Sequence, residues 1–140
     1  MATEMTDALD TFLEGVQAKG HVWGENDCCL FPADWIVIQG HEDPALSYRG
    51  AYHDEAGAQT VIAGEGGFVV MAHKALTRVG WRRRRFSAAQ RGDVGVLLLH
   101  SPHGPHPVGA VALGAGFWAM VTSKGLRMVK ATALTSWTKP

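Results

Sequence analysis

The sequence has very little sulfur available for covalent cross-links. Its 140 residues include two cysteines, and these stand side by side at positions 28 and 29. Adjacent cysteines rarely bridge each other, because the link strains the peptide between them. We therefore expect two free thiols in a protein made in a reducing cytosol, and a fold that does not depend on disulfides.

Charge of either sign is also scarce and balanced. Charged residues make up 19% of the chain, and thirteen basic side chains cancel thirteen acidic ones, for a formal net charge of +0. A neutral chain has no overall field that would attract nucleic acid or an anionic lipid surface. Neither is therefore expected as a partner.

Long apolar runs are absent as well. The run VGVLLL has the length of a strand, far short of the roughly 20 residues that span a membrane. The first twenty residues carry acidic side chains and no apolar core segment, so we expect neither a secretory signal nor a membrane segment. The composition instead predicts a folded core, with 46% hydrophobic residues and five tryptophans. A chain of this length suits one domain over residues 1–140.

The first half of the chain has helical patterns. One apolar stripe predicts a helix over residues 4–19 that stops at Gly20. A second, buried helix should begin near Asn26 or Asp27, either of which can cap it. Pro32 means that this helix is kinked or that its regular part begins later. Two short helices are predicted over 54–63 and 67–79. The stripe of the first helix consists of Met5, Leu9, Phe12, Leu13 and Val16.

The second half has the pattern of a meander of short strands. Four apolar or alternating runs are separated by Gly, Pro and Ser clusters. They are DVGVLLLH, PVGAVALG, GFWAMVTS and GLRMVKAT. The tail should pack through Leu134 and Trp137. Helices first and antiparallel strands second indicate an α+β domain.

The two cysteines are placed where a helix start can make a thiol reactive. The positive end of the helix dipole and unpaired amides lower the pKa of a thiol in the first turn. Cys28, which follows Asp27, fits that position, and Cys29 is expected to pack inward. The competing interpretation is that both are small, inert, buried side chains.

The order of several motifs resembles the NlpC-type cell-wall peptidases, which have a papain-like fold. In that family a WG…DC stretch places the nucleophilic cysteine at the start of the central helix. A strand opened by GD follows, and then a strand opened by HVG that carries the catalytic histidine. Here VWGENDC, RGDVGVLLL (91–99) and PVGAVALG (107–114) follow the same order.

The resemblance is closer to a group of small phage-encoded proteins with this organisation. They share WG.NDC, a DPA…YRG.Y stretch (43–52 here), RGDV, GL near residue 125 and a terminal tryptophan. The resemblance implies a papain-like domain in which the central helix, with Cys28 at its start, packs on a C-terminal antiparallel sheet. It also implies a nucleophilic Cys28 and binding roles for Trp23 and Asp27.

One departure from the family pattern bears on activity. Pro107 stands at the position of the catalytic histidine, and proline cannot act as a base. His106 is the adjacent residue, but a one-residue step on a strand points its side chain to the other face. A bulge in HSPHGPHP would restore its aim, so His106 is our candidate base. No third, orienting group is assigned.

Other motifs point less directly to chemistry. His100, His103 and His106 could suggest a metal site, but their Gly/Pro spacing favours a polar loop, and we expect no metal and no cofactor. The run WRRRRF (81–86) predicts a solvated edge or a protein contact. RGD at 91–93 is interpreted as a turn into the sheet.

Two functions follow from the resemblance, and a third from the paired thiols. The first is a tail-tip cysteine peptidase of the virion, assembled in the host cytoplasm, that cuts peptidoglycan peptides during genome entry. The second is a catalytically degenerate interaction module among tail-tip or hub proteins. The third is a thiol-dependent assembly or redox role for the adjacent cysteines.

Overall fold

The structure is a computed structural model that describes residues 7–84, 88–102 and 104–140. Four helices come first and six strands follow, which confirms the α+β prediction. Within the described ranges no helix has the length and hydrophobicity that crossing a bilayer requires. The helices are α1 (Ala8–Lys19), α2 (Phe31–Ile38), α3 (Glu55–Gly64) and α4 (Phe68–Arg78). The strands are β1 (Arg82–Arg83), β2 (Val94–Ser101), β3 (Gly104–Gly114), β4 (Phe117–Thr122), β5 (Gly125–Lys130) and β6 (Thr135–Thr138).

Local signals set the ends of the helices. The Asp7 carboxylate accepts a hydrogen bond from the Asp10 amide at 2.9 Å and caps α1. Gly20 ends that helix with a φ of 71°, a conformation that glycine adopts without strain. The helix is confirmed from Ala8 onward, while Met5 and the rest of residues 1–6 lie outside the described residues. The helices predicted over 54–63 and 67–79 are confirmed as α3 and α4.

The strands form one antiparallel sheet in the order β1-β6-β2-β3-β4-β5. Strands β2 and β3 form a long hairpin that pairs Val94 with Val111 at one end and Ser101 with Gly104 at the other. The pairing of β3 with β4 is shorter and ends at Val111 opposite Ala119 in the described ladder. Residues 104–110 of β3 therefore have an edge that β4 does not cover.

The sheet packs on both of its faces. The main core lies between the helices and one face, where Phe31, Ile36, Val96 and Val111 are at most 1% exposed. A second cluster lies on the other face, because side chains alternate along each strand. It consists of Leu97, Val108, Ala110, Ala112, Trp118 and Met120, and the Cys28 side chain packs against it.

Two expectations about the strands need correction. The segment HSPHGPHP was predicted as an irregular loop that could hold a bulge, but most of it lies in the β2–β3 hairpin. Its register is continuous through Leu99 opposite His106 and Leu98 opposite Pro107. The register shift in β3 falls instead between Ala112 and Gly114, because glycine permits the required backbone conformation there.

The C-terminal tail also differs from the prediction. It forms β6, which joins β2 to the two-residue strand β1. Trp137 is 1% exposed, as expected, whereas Leu134 is 53% exposed and does not anchor the tail. Leu134 lies outside β6 and donates its backbone N–H to the Val96 carbonyl at 2.8 Å. The backbone, and not the leucine side chain, holds this part of the tail.

Candidate functional site

The Asp27 carboxylate is the centre of the segment that carries the cysteines. It is fully buried and accepts four hydrogen bonds. Its Oδ1 accepts from the backbone amides of Cys29 and Leu30, each at 2.9 Å. Its Oδ2 accepts from the Gly24 amide and the Tyr52 hydroxyl, each at 2.8 Å. A buried carboxylate requires such partners, and these tie the turn, the helix start and the segment before α3 together.

The helical turn begins at Asp27, although the regular helix begins later. The Phe31 amide donates to the Asp27 carbonyl at 2.9 Å, so Cys28 and Cys29 lie in the first turn with their amides at the positive end of the dipole. Helix α2 proper begins at Phe31, and Pro32 is its second residue. Proline needs no amide donor there. Of the two interpretations of Pro32, the later start is the one observed.

The start of the helix sits directly on the uncovered edge of β3. The Gly109 amide donates to the Cys28 carbonyl at 3.1 Å, which satisfies a strand donor that β4 leaves unpaired. A Cβ atom at position 109 would lie 2.8 Å from the Pro32 Cγ and would overlap the Cys28 carbonyl oxygen. The glycine of the PVG motif is therefore required, because the backbone of the turn that carries Cys28 and Cys29 (the cysteine turn) approaches so closely.

A cavity of about 200 Å³ opens beside the cysteine turn. Its walls come from the turn, from α3, from the β2–β3 hairpin and from the end of β4. Among the described residues, the lining includes both cysteines, two imidazoles, one carboxylate, several neutral polar groups and several apolar side chains. They include His21, Trp23, Cys28, Cys29, Glu55, Gln59, His106, Pro107, Thr122 and Ser123.

The two thiols face different surroundings. Cys28 packs against the second cluster and Cys29 against the main core, as expected for the residue predicted to point inward. The adjacent Cys28 thiol and burial raise the pKa of the Cys29 thiol, and the Asp27 charge adds to this rise. Burial, together with the charges of Cys29 and Asp27, also raises the pKa of the Tyr52 hydroxyl. Cys29 is thus held as a protonated thiol at neutral pH.

His106 lines the cavity but remains an exposed side chain on β3. The continuous register places it on the same face as Leu99 and Val108, which is the face against which Cys28 packs. No bulge is therefore needed to bring it to the side of Cys28. Among the described residues, no hydrogen bond joins either cysteine sulfur to an imidazole.

A second imidazole, which the sequence motifs did not indicate, lines the cavity. His21 is half-buried and its ring meets the Trp23 ring edge-on, with centroids 4.6 Å apart. The Trp23 ring in turn lies edge-on to Tyr52 at 6.5 Å. A tight turn at Gly24, with a φ of 81°, folds this segment back toward the cysteines. That glycine was the available signal, since a turn three residues after a histidine can return it to the helix start.

The other described histidines are not among the residues that line the cavity. His100 is an exposed residue near the hairpin tip, and His103 lies outside the described residues. Over the ranges 7–84, 88–102 and 104–140, no three His, Cys, Asp or Glu side chains are grouped to hold a metal ion. In the arginine run, Arg82 and Arg83 are exposed.

These features define an α+β domain with a capped, cysteine-bearing helix start beside an imidazole-lined cavity. The chain belongs to the DUF6950 family, described as a domain of unknown function, whose model matches residues 2–138. No curated protein matches the chain. No solved structure matches it either.

Proposed function

We propose that this chain is a phage tail-tip protein with an NlpC-type, papain-like fold, and that it cleaves peptide bonds of peptidoglycan through Cys28. The observation that carries the proposal is the position of Cys28. Its backbone lies in the first turn of a helix capped by a buried carboxylate, and its side chain lines a cavity that also contains imidazole groups. The motif order along the chain supports the family and the phage context.

The chemistry that this arrangement supports is a two-step transfer. An imidazole takes the proton from the Cys28 thiol, and the thiolate forms a bond with the carbonyl carbon of the scissile peptide. The imidazolium then gives the proton to the leaving amine as the C–N bond breaks. Water hydrolyses the resulting thioester and regenerates the thiol. The Cys29, Leu30 and Phe31 amides donate to Asp27. The Cys28 amide, which has no hydrogen-bond partner among the described residues, is therefore the donor available to stabilise the oxyanion.

The adjacent thiols provide a matched pair for the test. Purified protein is incubated with peptidoglycan beside Cys28→Ser and Cys29→Ser variants, and newly released amino groups are counted. We expect Cys28→Ser to abolish release. Cys29→Ser should retain most of it, because the Cys29 thiol faces the core and is held protonated. If the wild-type protein releases no more amine than Cys28→Ser, the peptidase proposal is wrong.

The second candidate function is an interaction module of the tail tip without hydrolase activity. Pro107 favours it, because this residue stands in the cavity wall at the strand position where the resembled family carries its base. In that case the protein would assemble into tails with unchanged infectivity when Cys28 is serine. A strong loss of infectivity by Cys28→Ser phage whose tails assemble normally would exclude this second function.

A further inference from the structure

Two imidazoles of the described residues line the cavity that contains Cys28, and they are held in different ways. His106 is exposed, lies between Pro105 and Pro107, and is held by the hairpin backbone. His21 is half-buried and its ring contacts Trp23. A base that acts on a thiol must be kept within hydrogen-bond reach in a defined orientation. Restriction of the ring therefore distinguishes the two candidates.

His21 belongs to the same hydrogen-bonded segment as the cysteines. It immediately precedes a turn in which the Val22 and Asn26 amides donate to each other's carbonyls, at 2.9 and 2.7 Å. Asp27 follows that turn, and its carboxylate fixes both the turn and the helix start. A change in the position of Cys28 would therefore carry His21 with it. His106 is joined to the cysteine turn through β3, in which only Gly109 donates to the Cys28 carbonyl.

A buried acceptor without a partner lies in the turn that follows His21. Asn26 is 3% exposed and its side-chain N–H donates to the carbonyl of Gly20, the residue before His21. That bond assigns the two ends of the amide and leaves Oδ1 buried. Among the described residues, this Oδ1 has no hydrogen-bond partner. Buried acceptors are nearly always satisfied, and an imidazole N–H is a donor of the kind that this oxygen lacks.

We propose that His21 is the imidazole that accepts the Cys28 proton, and that Asn26 is a positioning residue that orients the resulting imidazolium. This inference rests on the proposed function, because it names the base of the same site. In the proton transfer the Cys28 S–H bond breaks and an N–H bond forms on the His21 ring, which leaves a thiolate and an imidazolium. No other reactant is required.

Other titratable groups surround this pair and enter its pH dependence. Cys29, Glu55 and His106 line the same cavity from the helix start, α3 and β3. The Asp27 carboxylate accepts hydrogen bonds from the Cys29 amide and from the Tyr52 hydroxyl. Glu55 is the only acidic residue among the described lining residues, and its negative charge favours an imidazolium.

The alkylation of Cys28 by iodoacetamide tests the pairing without a peptidase substrate. The rate is measured from pH 5 to pH 9 in the full chain, and mass spectrometry assigns the modified cysteine. An unpaired thiol is almost wholly protonated at pH 6, whereas a thiolate paired with an imidazolium still reacts. We expect His21→Gln to slow the reaction at pH 6 by about tenfold. The matched variant His106→Gln should stay within about twofold.

Each outcome decides the inference. Slowing by His106→Gln with little effect of His21→Gln would overturn it, and so would two variants that both react like the wild type. If His21→Gln does not fold, NMR of the wild-type protein supplies the answer. Alkylation of Cys28 should then shift the titration curve of the His21 ring to lower pH and leave that of His106 in place. The reverse result, or no shift of either ring, would contradict the proposal.

The positioning role of Asn26 is tested by how the Cys28 alkylation rate depends on pH. Asn26→Ser should move the rise of the alkylation rate toward higher pH, because the imidazolium loses its acceptor. A lower unfolding temperature with an unmoved profile would show that Asn26 is structural only. The peptidase proposal can fail while the pairing of His21 with Cys28 holds. If the pH dependence of Cys28 alkylation requires His21 but the protein releases no amine from peptidoglycan, the pairing is kept and the hydrolase is rejected.

Discussion

The two walls of the cysteine cavity are built in contrasting ways. On one side, the segment 20–31 is held by side chains, above all by the four hydrogen bonds to the buried Asp27 carboxylate. On the other side, the tip of the β2–β3 hairpin is held by its backbone ladder, and His100, Pro105 and His106 are exposed. The first wall is specified by individual side chains and the second by strand pairing.

This difference determines how each wall tolerates change. A backbone ladder survives most side-chain substitutions, since its hydrogen bonds do not depend on them. A buried carboxylate with four donors cannot be replaced without leaving donors unsatisfied. We therefore expect reactivity and stability to be sensitive to substitutions in segment 20–31, and much less so to substitutions near the hairpin tip.

The largest effect is expected at the buried cap. Asp27→Ala should lower the free energy of unfolding by about 3 kcal/mol or more, because the donors of Gly24, Cys29, Leu30 and Tyr52 all lose a buried, charged acceptor.

Asp54→Ala is the matched control. Asp54 also caps a helix, with Gly57 N–H to Oδ1 at 2.7 Å, but it is exposed. That loss should be about 1 kcal/mol.

Urea unfolding of the two variants measures the difference. Equal losses in Asp27→Ala and Asp54→Ala would show that burial and the additional donors add nothing to the cap. The contrast between the two walls would then lose its physical basis.

The next effect is expected where the two walls meet. Gly109→Ala should cost about 2 kcal/mol, because the added methyl group forces the cysteine turn away from β3. It should also change the Cys28 alkylation rate, since the Cys28 carbonyl accepts from the Gly109 amide. Gly15→Ala in α1 is the control. A Cβ there meets nothing within 4 Å, and the exchange should stabilise the helix by about 0.5–1 kcal/mol.

Thermal unfolding and the rate of Cys28 alkylation are measured for both Gly109→Ala and Gly15→Ala. If Gly109→Ala is as stable and as reactive as the wild type, the close approach of the two backbones is not required.

The helix start could be predicted from sequence because its signals are local. Asp27, the apolar run after it and Pro32 lie within six residues, and capping rules apply at that range. The pattern also predicted which cysteine faces the core. The role of Asp27 was underestimated, because two of its donors, the Gly24 amide and the Tyr52 hydroxyl, reach it only through tertiary contacts.

The structural features that the sequence did not predict depend on residues that are far apart along the chain. Strand β6 forms because β2 and β1 offer backbone groups about 40 and 54 residues away along the chain. The Pro- and His-rich hairpin tip is polar and looks like a loop, yet pairing with β2 extends β3 through it. His21 precedes the cysteines by seven residues, and only the geometry of the Gly24 turn returns it to them.

A smaller effect concerns pH and the thiol that faces the core. The pKa of Cys29 is raised in the folded protein, so the folded state favours the protonated thiol. Its contribution to stability is complete below the pKa of an unfolded cysteine, about 8.5, and is lost as pH rises above it. Between pH 9 and pH 10 the wild type should lose about 1 kcal/mol more than Cys29→Ser.

Unfolding by urea at several pH values compares the two proteins. Parallel stability curves for wild type and Cys29→Ser over this interval would contradict the raised pKa.

The smallest effect is expected on the hairpin wall, at Leu98. This residue is 39% exposed and lies opposite Pro107, so Leu98→Ala should change the free energy of unfolding by about 0.5 kcal/mol. Its neighbour Leu97 is 1% exposed and belongs to the second cluster. The same substitution there should cost about 2–5 kcal/mol, because it leaves a cavity. Both variants keep the ladder, so denaturant unfolding isolates the side chains. A cost at Leu98 that equals the cost at Leu97 would mean that side chains, and not only strand pairing, define this wall.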